Sequence, residues 1–224
     1  MKQPVPGRDP LPERPTATEA VFGSPPAIET LAGRATIEHA AEMTTGTPPL
    51  VYVVIAGPQA SGKSALTVAL SDELRGQGER VAAVELDQIA SMALPTLPGW
   101  EVAHQITEAV AGLWLRAGMT CVIVEGVGTG EKVRGLLRQA PDEVPSLTIA
   151  TTAPFDVAFK RALADPSRGV SRQEDYLRAI YDHWQRELPR IGADLTLHTD
   201  RESLGQCVEA VQSRIALTRR QRYR

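Results

Sequence analysis

Residues 57–64 read Gly57-Pro58-Gln59-Ala60-Ser61-Gly62-Lys63-Ser64, a complete G-x-x-x-x-G-K-[ST] pattern. Glycines at this spacing let the backbone curl tightly and turn several N–H groups toward one centre, where phosphate oxygens can sit. Lys63 adds a mobile positive charge suited to the β- and γ-phosphates of a nucleoside triphosphate, and the Ser64 hydroxyl is an expected Mg2+ ligand. A helix opening at Lys63 would present its partial positive end to the same anion. Residues 57–64 together with Ala65 are therefore the expected triphosphate site, which for an adenine nucleotide means ATP.

A second group with chemical potential closes the run VIVEG, residues 122–126. An acid ending an apolar stretch needs solvent, a cation or a partner, because burying it unpaired is costly. Glu125 is thus a candidate to hold Mg2+, directly or through water, with a purely structural role as the alternative. Gly126 follows at the same strand end. The stretch IASMALPTLPGW, residues 89–100, is expected to line an acceptor pocket, with Met92, Leu94, Leu97 and Trp100 packing against a partly apolar molecule. His39, His104, His183 and His198 show no metal-ligand spacing and read as surface or capping residues.

These residues need elements to hold them. LVYVVIAG, residues 50–57, is the pattern of a strand buried on both faces. Further strands are expected at Val81–Leu86, Thr120–Glu125, Ser146–Thr151 and Asp194–His198. Helices are expected at Lys63–Arg75, at Glu101–Ala117 with Val102, Ile106, Val110 and Leu113 on one side, and over 131–139, 154–188 and 203–217. Asp165-Pro166-Ser167-Arg168-Gly169 interrupts the long one. Strands alternating with helices imply right-handed crossovers and a mainly parallel sheet covered on both faces.

Composition narrows the class. The 224 residues carry 24 basic and 27 acidic side chains, a net charge of −3, which is no footprint for duplex nucleic acid. No apolar window reaches membrane-spanning length, and Cys121 and Cys207 alone make neither a disulfide scaffold nor a four-cysteine zinc site. A reducing, cytoplasmic setting follows. The prolines of residues 1–26 predict a disordered leader, and 27–47 a leading helix and linker. Residues 48–218 then form the α/β domain, with a lid region near 154–190, and 219–224 a solvated basic tail.

No N-K-x-D segment of a GTPase appears, nor the Asp-Glu strand end and sensors of a remodelling ATPase. The P-loop, the LDQI of 86–89, the VIVEG strand and the run FKRALADPSRGVSRQEDYLRAIYDHW of 159–184 together resemble small P-loop kinases. The likeness is to chloramphenicol phosphotransferase-like proteins, shikimate and gluconate kinases and zeta-type toxin kinases, over about residues 50–210. It implies a three-layer sandwich with strand order 2-3-1-4-5, an ATP donor, Mg2+ and a small-molecule hydroxyl acceptor. It also implies that Asp87 faces the acceptor as base, and that Arg161 and Arg168 close over the phosphates as a lid. Gln88 and Ile89 stand where such kinases often carry a second acid. The alternative is a nucleotide-switched regulatory ATPase without a small-molecule acceptor.

Overall fold

The computed structural model describes residues 47–97 and 99–222. The expected leader and the helix over 27–43 lie outside the described residues. Five parallel strands form one sheet: β1 (Val51–Ala56), β2 (Val81–Glu85), β3 (Cys121–Val127), β4 (Ser146–Thr152) and β5 (Leu195–His198). Their order is β2-β3-β1-β4-β5, as the resemblance implies. β1 pairs on both sides, Val53 opposite Ile123 and Leu147, and all six of its residues are buried. That is why its sequence is continuously apolar rather than alternating.

The pleat divides the core in two. Val51, Val53 and Ile55 face α1 (Lys63–Gly76) and α7 (Leu204–Arg222), meeting Leu66, Leu70, Val211 and Ile215. Tyr52, Val54 and Ala56 face the opposite layer, made by α3 (Trp100–Leu115), α4 (Gly130–Leu137) and α6 (Glu174–Ile191). A short α2 (Leu86–Ser91) follows β2 directly, so the strand ends one residue earlier than expected. Among the described residues no helix is long and apolar enough to cross a membrane.

Three expectations are corrected. The helix over 154–188 is three elements: α5 (Phe155–Ala164), a 3-10 helix (Pro166–Arg172) kinked at Gly169, and α6. Pro166 cannot continue α5, and the Asp165 side chain accepts from the Ser167 N–H to start the new turn. On α3 the expected apolar side is the outward one. Val102, Ile106 and Leu113 are exposed, while the small Ala103, Thr107 and Ala111 face inward and let the helix lie close to its neighbours. The basic segment after residue 218 is helical as far as Arg222, where α7 ends, and Arg219 within it is part-buried rather than solvated. Arg219 forks onto Glu79 at 2.8 and 2.6 Å and donates to the Thr120 carbonyl at 2.8 Å. Both partners are part-buried, so the pair is shielded from water more than an ordinary surface ion pair.

Candidate active site

The loop between β1 and α1 is shaped by backbone that side chains would block. A Cβ on Gly57 would meet the Thr151 carbonyl oxygen and Ser61 Oγ, each at 2.8 Å. Ala60 and Gly62 both take positive φ, 60° and 96°, which curls the chain so that α1 begins at Lys63. No side chain caps α1 and no acid sits in its first turn. Its free N–H groups and dipole are left for an anion. Buried hydroxyls fix the loop from outside. Ser61 Oγ donates to the Pro58 carbonyl at 2.8 Å and lies 2.7 Å from Thr151 Oγ1. Thr199 Oγ1 donates to the Ser61 carbonyl at 2.8 Å.

Lys63 Nζ folds back to donate to the Pro58 carbonyl at 2.9 Å. Burial pushes its pKa below the ordinary lysine value, opposed by the Glu125 and Asp87 carboxylates. Ser64 Oγ donates to Glu125 Oε1 at 2.9 Å. Glu125 sits where β3 bulges against β1: Ile55 pairs Glu125, but Ala56 pairs Val127. Gly126 absorbs the bulge at φ 110°, and a Cβ there would strike Leu86 Cβ at 2.7 Å. Burial pushes the Glu125 pKa up, against the pull of Lys63 and Ser64. Its Oε2 is buried without a partner. An orphaned carboxylate oxygen beside a hydroxyl is a hard-oxygen donor set that fits Mg2+. The described residues hold no cluster of three metal-ligating side chains, but Mg2+ needs only one or two protein ligands beside phosphate oxygens and water.

Three hollows meet at this loop. The first, about 360 Å³, lies over the start of α1 and is bounded by Lys63, Ser64, Asp87, Arg168 and Ser171. The second, about 340 Å³, continues past Ala60 and Gly62 toward α7, with Leu66, Leu204 and Cys207 on its walls. The third, about 380 Å³, opens on the other side toward α3, α4 and α6. Gln59, Lys63 and Asp87 border both the first and the third. Asp87, in the first turn of α2, is exposed in that shared wall.

The expected residues therefore divide. Residues 59, 60 and 62–65, with Asp87 and Arg168, line the first hollow; Trp100 and Gly126 line the third with Asp87. Arg161 lines the second hollow instead of the phosphate cavity. Its guanidinium is held by Thr199, at 2.9 Å to Oγ1 and 2.6 Å to the carbonyl. Arg168, on the 3-10 helix, borders the first two hollows while pairing with Asp165 at 3.2 Å. Met92 and Leu94 are exposed outside the third hollow, and Leu97 packs on the α2–α3 contact.

Other side chains were not foreseen. His104 and His183, expected as surface or capping groups, line the third hollow with Lys132 and Tyr176. Burial and the nearby Lys132 push the His104 imidazole below the ordinary histidine value, toward its neutral form. Gln59 is latched from the side of the 3-10 helix and α6, its Oε1 accepting from Ser171 Oγ at 2.5 Å and its carbonyl from Tyr181 Oη at 3.2 Å. A helical-face reading of 100–104 and 176–184 carries part of this signal, since Tyr176, Ile180, His183 and Trp184 share one side of α6.

No family model matches the chain, and no curated protein matches it. Solved structures do. A shikimate kinase from Acinetobacter baumannii, in complex with shikimate, is 17% identical, covering 75% of this chain and 93% of its own, with a TM-score of 0.54. A putative kinase from Chloroflexus aurantiacus is 20% identical, covering 77% and 100%, with a TM-score of 0.57. A shikimate kinase from Bacteroides thetaiotaomicron is 18% identical, covering 74% and 98%, with a TM-score of 0.54. At these identities the likeness establishes the fold, and that fold is the P-loop kinase fold.

Proposed function

We propose that the protein is an ATP- and Mg2+-dependent phosphotransferase whose acceptor is a hydroxyl group of a small molecule. One observation carries this reading: Asp87 stands in the wall shared by the phosphate-sized hollow and the third hollow. A carboxylate there can reach a hydroxyl in one compartment and the γ-phosphorus it attacks in the other. The triphosphate lies on the loop and the start of α1, with the base in the more apolar second hollow, beside Arg161 and Thr199. Ser64 and Glu125 hold Mg2+, which when bound neutralises phosphate charge.

In the reaction the acceptor oxygen forms a bond to the γ-phosphorus as the bond to the β,γ-bridging oxygen breaks. The hydroxyl proton passes to Asp87, and ADP leaves. Phosphoryl transfer asks little covalent chemistry of the protein, so positioning and charge supply the catalysis. Lys63 supplies charge at the leaving oxygens, and Arg168 moves onto the transferring group when the 3-10 helix closes. ATP supply and two free buried cysteines suit a cytoplasmic setting.

The test is incubation with ATP, Mg2+ and fractionated small-molecule extracts, followed by mass spectrometry. Wild type is expected to give a phosphorylated product. Asp87→Asn should lower its rate by about 10²-fold or more while nucleotide affinity changes little. Undiminished transfer by Asp87→Asn would remove the assigned base; ADP formation without any product would favour a nucleotide switch.

A further inference from the structure

The outward side of the phosphate loop is held by side chains from distant elements, and what they do rests on the proposal that the loop binds a triphosphate. Turning N–H groups inward toward an anion turns carbonyls outward, and buried carbonyls need donors. Ala60 and Ser61 are 5% and 0% exposed, so water does not serve them. The turn they make is also one the chain does not favour unaided, because Ala60 is a non-glycine residue at φ 60°.

The donors are Thr199, just after β5, and Arg161 on α5. Thr199 gives its hydroxyl proton to the Ser61 carbonyl at 2.8 Å. Its methyl lies against the open face of Gly62, 3.5 Å from where a Cβ would stand. Arg161 Nη1 reaches the Ala60 carbonyl at 3.5 Å, but its shorter bonds go to Thr199: Nη1 to Oγ1 at 2.9 Å and Nη2 to the carbonyl at 2.6 Å. A threonine hydroxyl has one proton and can turn it elsewhere, and here the Thr152 carbonyl is 3.4 Å away. By donating into that hydroxyl and pinning the Thr199 backbone, the guanidinium directs the proton to Ser61 and strengthens the bond it makes there.

We infer that Arg161 is a positioning residue for phosphate binding. It acts through Thr199 to hold the loop in its anion-binding shape, independently of any contact with the phosphates or the base. Its fork is what the role requires, since a lysine keeps the charge but cannot grip the hydroxyl and the carbonyl of one residue together.

Calorimetric titration of the full chain with Mg2+ and either inorganic tripolyphosphate or a non-hydrolysable ATP analogue, each to millimolar concentration, tests this. Arg161→Lys and Thr199→Val should each weaken both ligands by a similar factor, about five- to tenfold. Thr199→Ser keeps the hydroxyl and should stay within about twofold of wild type. The double variant Arg161→Lys/Thr199→Val should be about as weak as the poorer single variant, because both act on one contact. Loss of folded protein lowers the binding stoichiometry and not the affinity of each site, so a merely structural role leaves the dissociation constants unmoved. Full affinity in Arg161→Lys, a loss confined to the ATP analogue, or losses that multiply in the double variant would each overturn the inference. So would a wild type that binds the analogue but not tripolyphosphate. A wild type that binds neither ligand overturns the triphosphate site itself, whereas binding with a different variant pattern removes the role of Arg161 alone.

Discussion

The phosphate loop is held by backbone geometry and short buried hydroxyls, whereas the third hollow is walled by long side chains from α2, α3, α4 and α6. In the loop, Gly57 has no room for a Cβ, and Ser61, Thr151 and Thr199 tie its carbonyls and hydroxyls to β4 and the end of β5. In the hollow, Trp100 and Asp87 stand exposed, and the Lys132–Glu101 pair is a surface contact. One region is over-determined and, under the proposed function, would serve any triphosphate. The other can change its occupant through a few exposed side chains without disturbing the core, which is how one fold hosts many substrates.

The largest expected effect separates activity from stability inside the loop. In the proposed reaction Lys63 is the charge that would bind and neutralise phosphate, yet burial makes its ammonium a cost to the empty protein. Lys63→Met should therefore lower phosphoryl transfer by about 10³-fold or more, leaving thermal stability equal or slightly raised. Transfer assays and melting curves on one preparation check both halves. A strong drop in melting temperature would show that the loop depends on the Lys63–Pro58 bond for its shape.

Next comes the backbone. Gly57→Ala forces a Cβ against the Thr151 carbonyl at 2.8 Å, and relieving the overlap should cost about 1–3 kcal/mol along with nucleotide binding. Trp100→Ala in the third hollow removes a half-exposed ring and should stay within about 0.5 kcal/mol. Denaturant melts of the two variants measure the contrast directly. Equal losses would dissolve the distinction between a rigid donor site and an adaptable acceptor site.

The same distinction governs what the sequence disclosed. The loop was legible because its chemistry is local: eight consecutive residues contain the glycines, the lysine and the hydroxyl. The sheet was legible because buried parallel strands are continuous apolar runs, and each expected run became a strand. The walls of the third hollow were not. Trp100 and His104 lie one turn apart on α3, Tyr176 and His183 on one side of α6, and only the tertiary fold sets those helices opposite each other. The outward apolar stripe of α3 misled for a related reason: close packing selected alanine and threonine for the buried side. Arg219 gave no signal as a packing residue because its partner Glu79 is 140 positions away.

Glu125 joins the two regions, and its titration sharpens the comparison. Burial holds its folded pKa above the ordinary glutamate value of 4.5, so the folded state takes up the proton more readily than the unfolded chain. That contribution to stability is fully present below 4.5 and is lost as pH rises through the raised folded value. Glu125→Gln stays neutral throughout and should melt with a flatter pH dependence over this window. It should also lose the Mg2+ enhancement of nucleotide affinity. Melting curves from about pH 4 to about pH 8, with and without Mg2+ and nucleotide, measure both. An unchanged pH profile would mean that Glu125 is hydrated rather than desolvated against the bulge.

The smallest effect concerns the contact by which the 3-10 helix grips the loop. Ser171 Oγ donates to Gln59 Oε1 at 2.5 Å, and Gln59 borders both the phosphate-sized hollow and the third hollow. Removing this single neutral hydrogen bond by Ser171→Ala should cost about 1 kcal/mol or less of global stability. Its local consequence should be more visible, because the 3-10 helix around Gly169 has few other ties to the loop. Backbone amides of 166–172 should exchange hydrogen faster, and the rate of nucleotide dissociation should rise by a few-fold. Unchanged exchange and dissociation would show that Tyr181, through the Gln59 carbonyl, suffices to hold this side of the loop. The contact would then belong to the rigid half of the site rather than to its moving part.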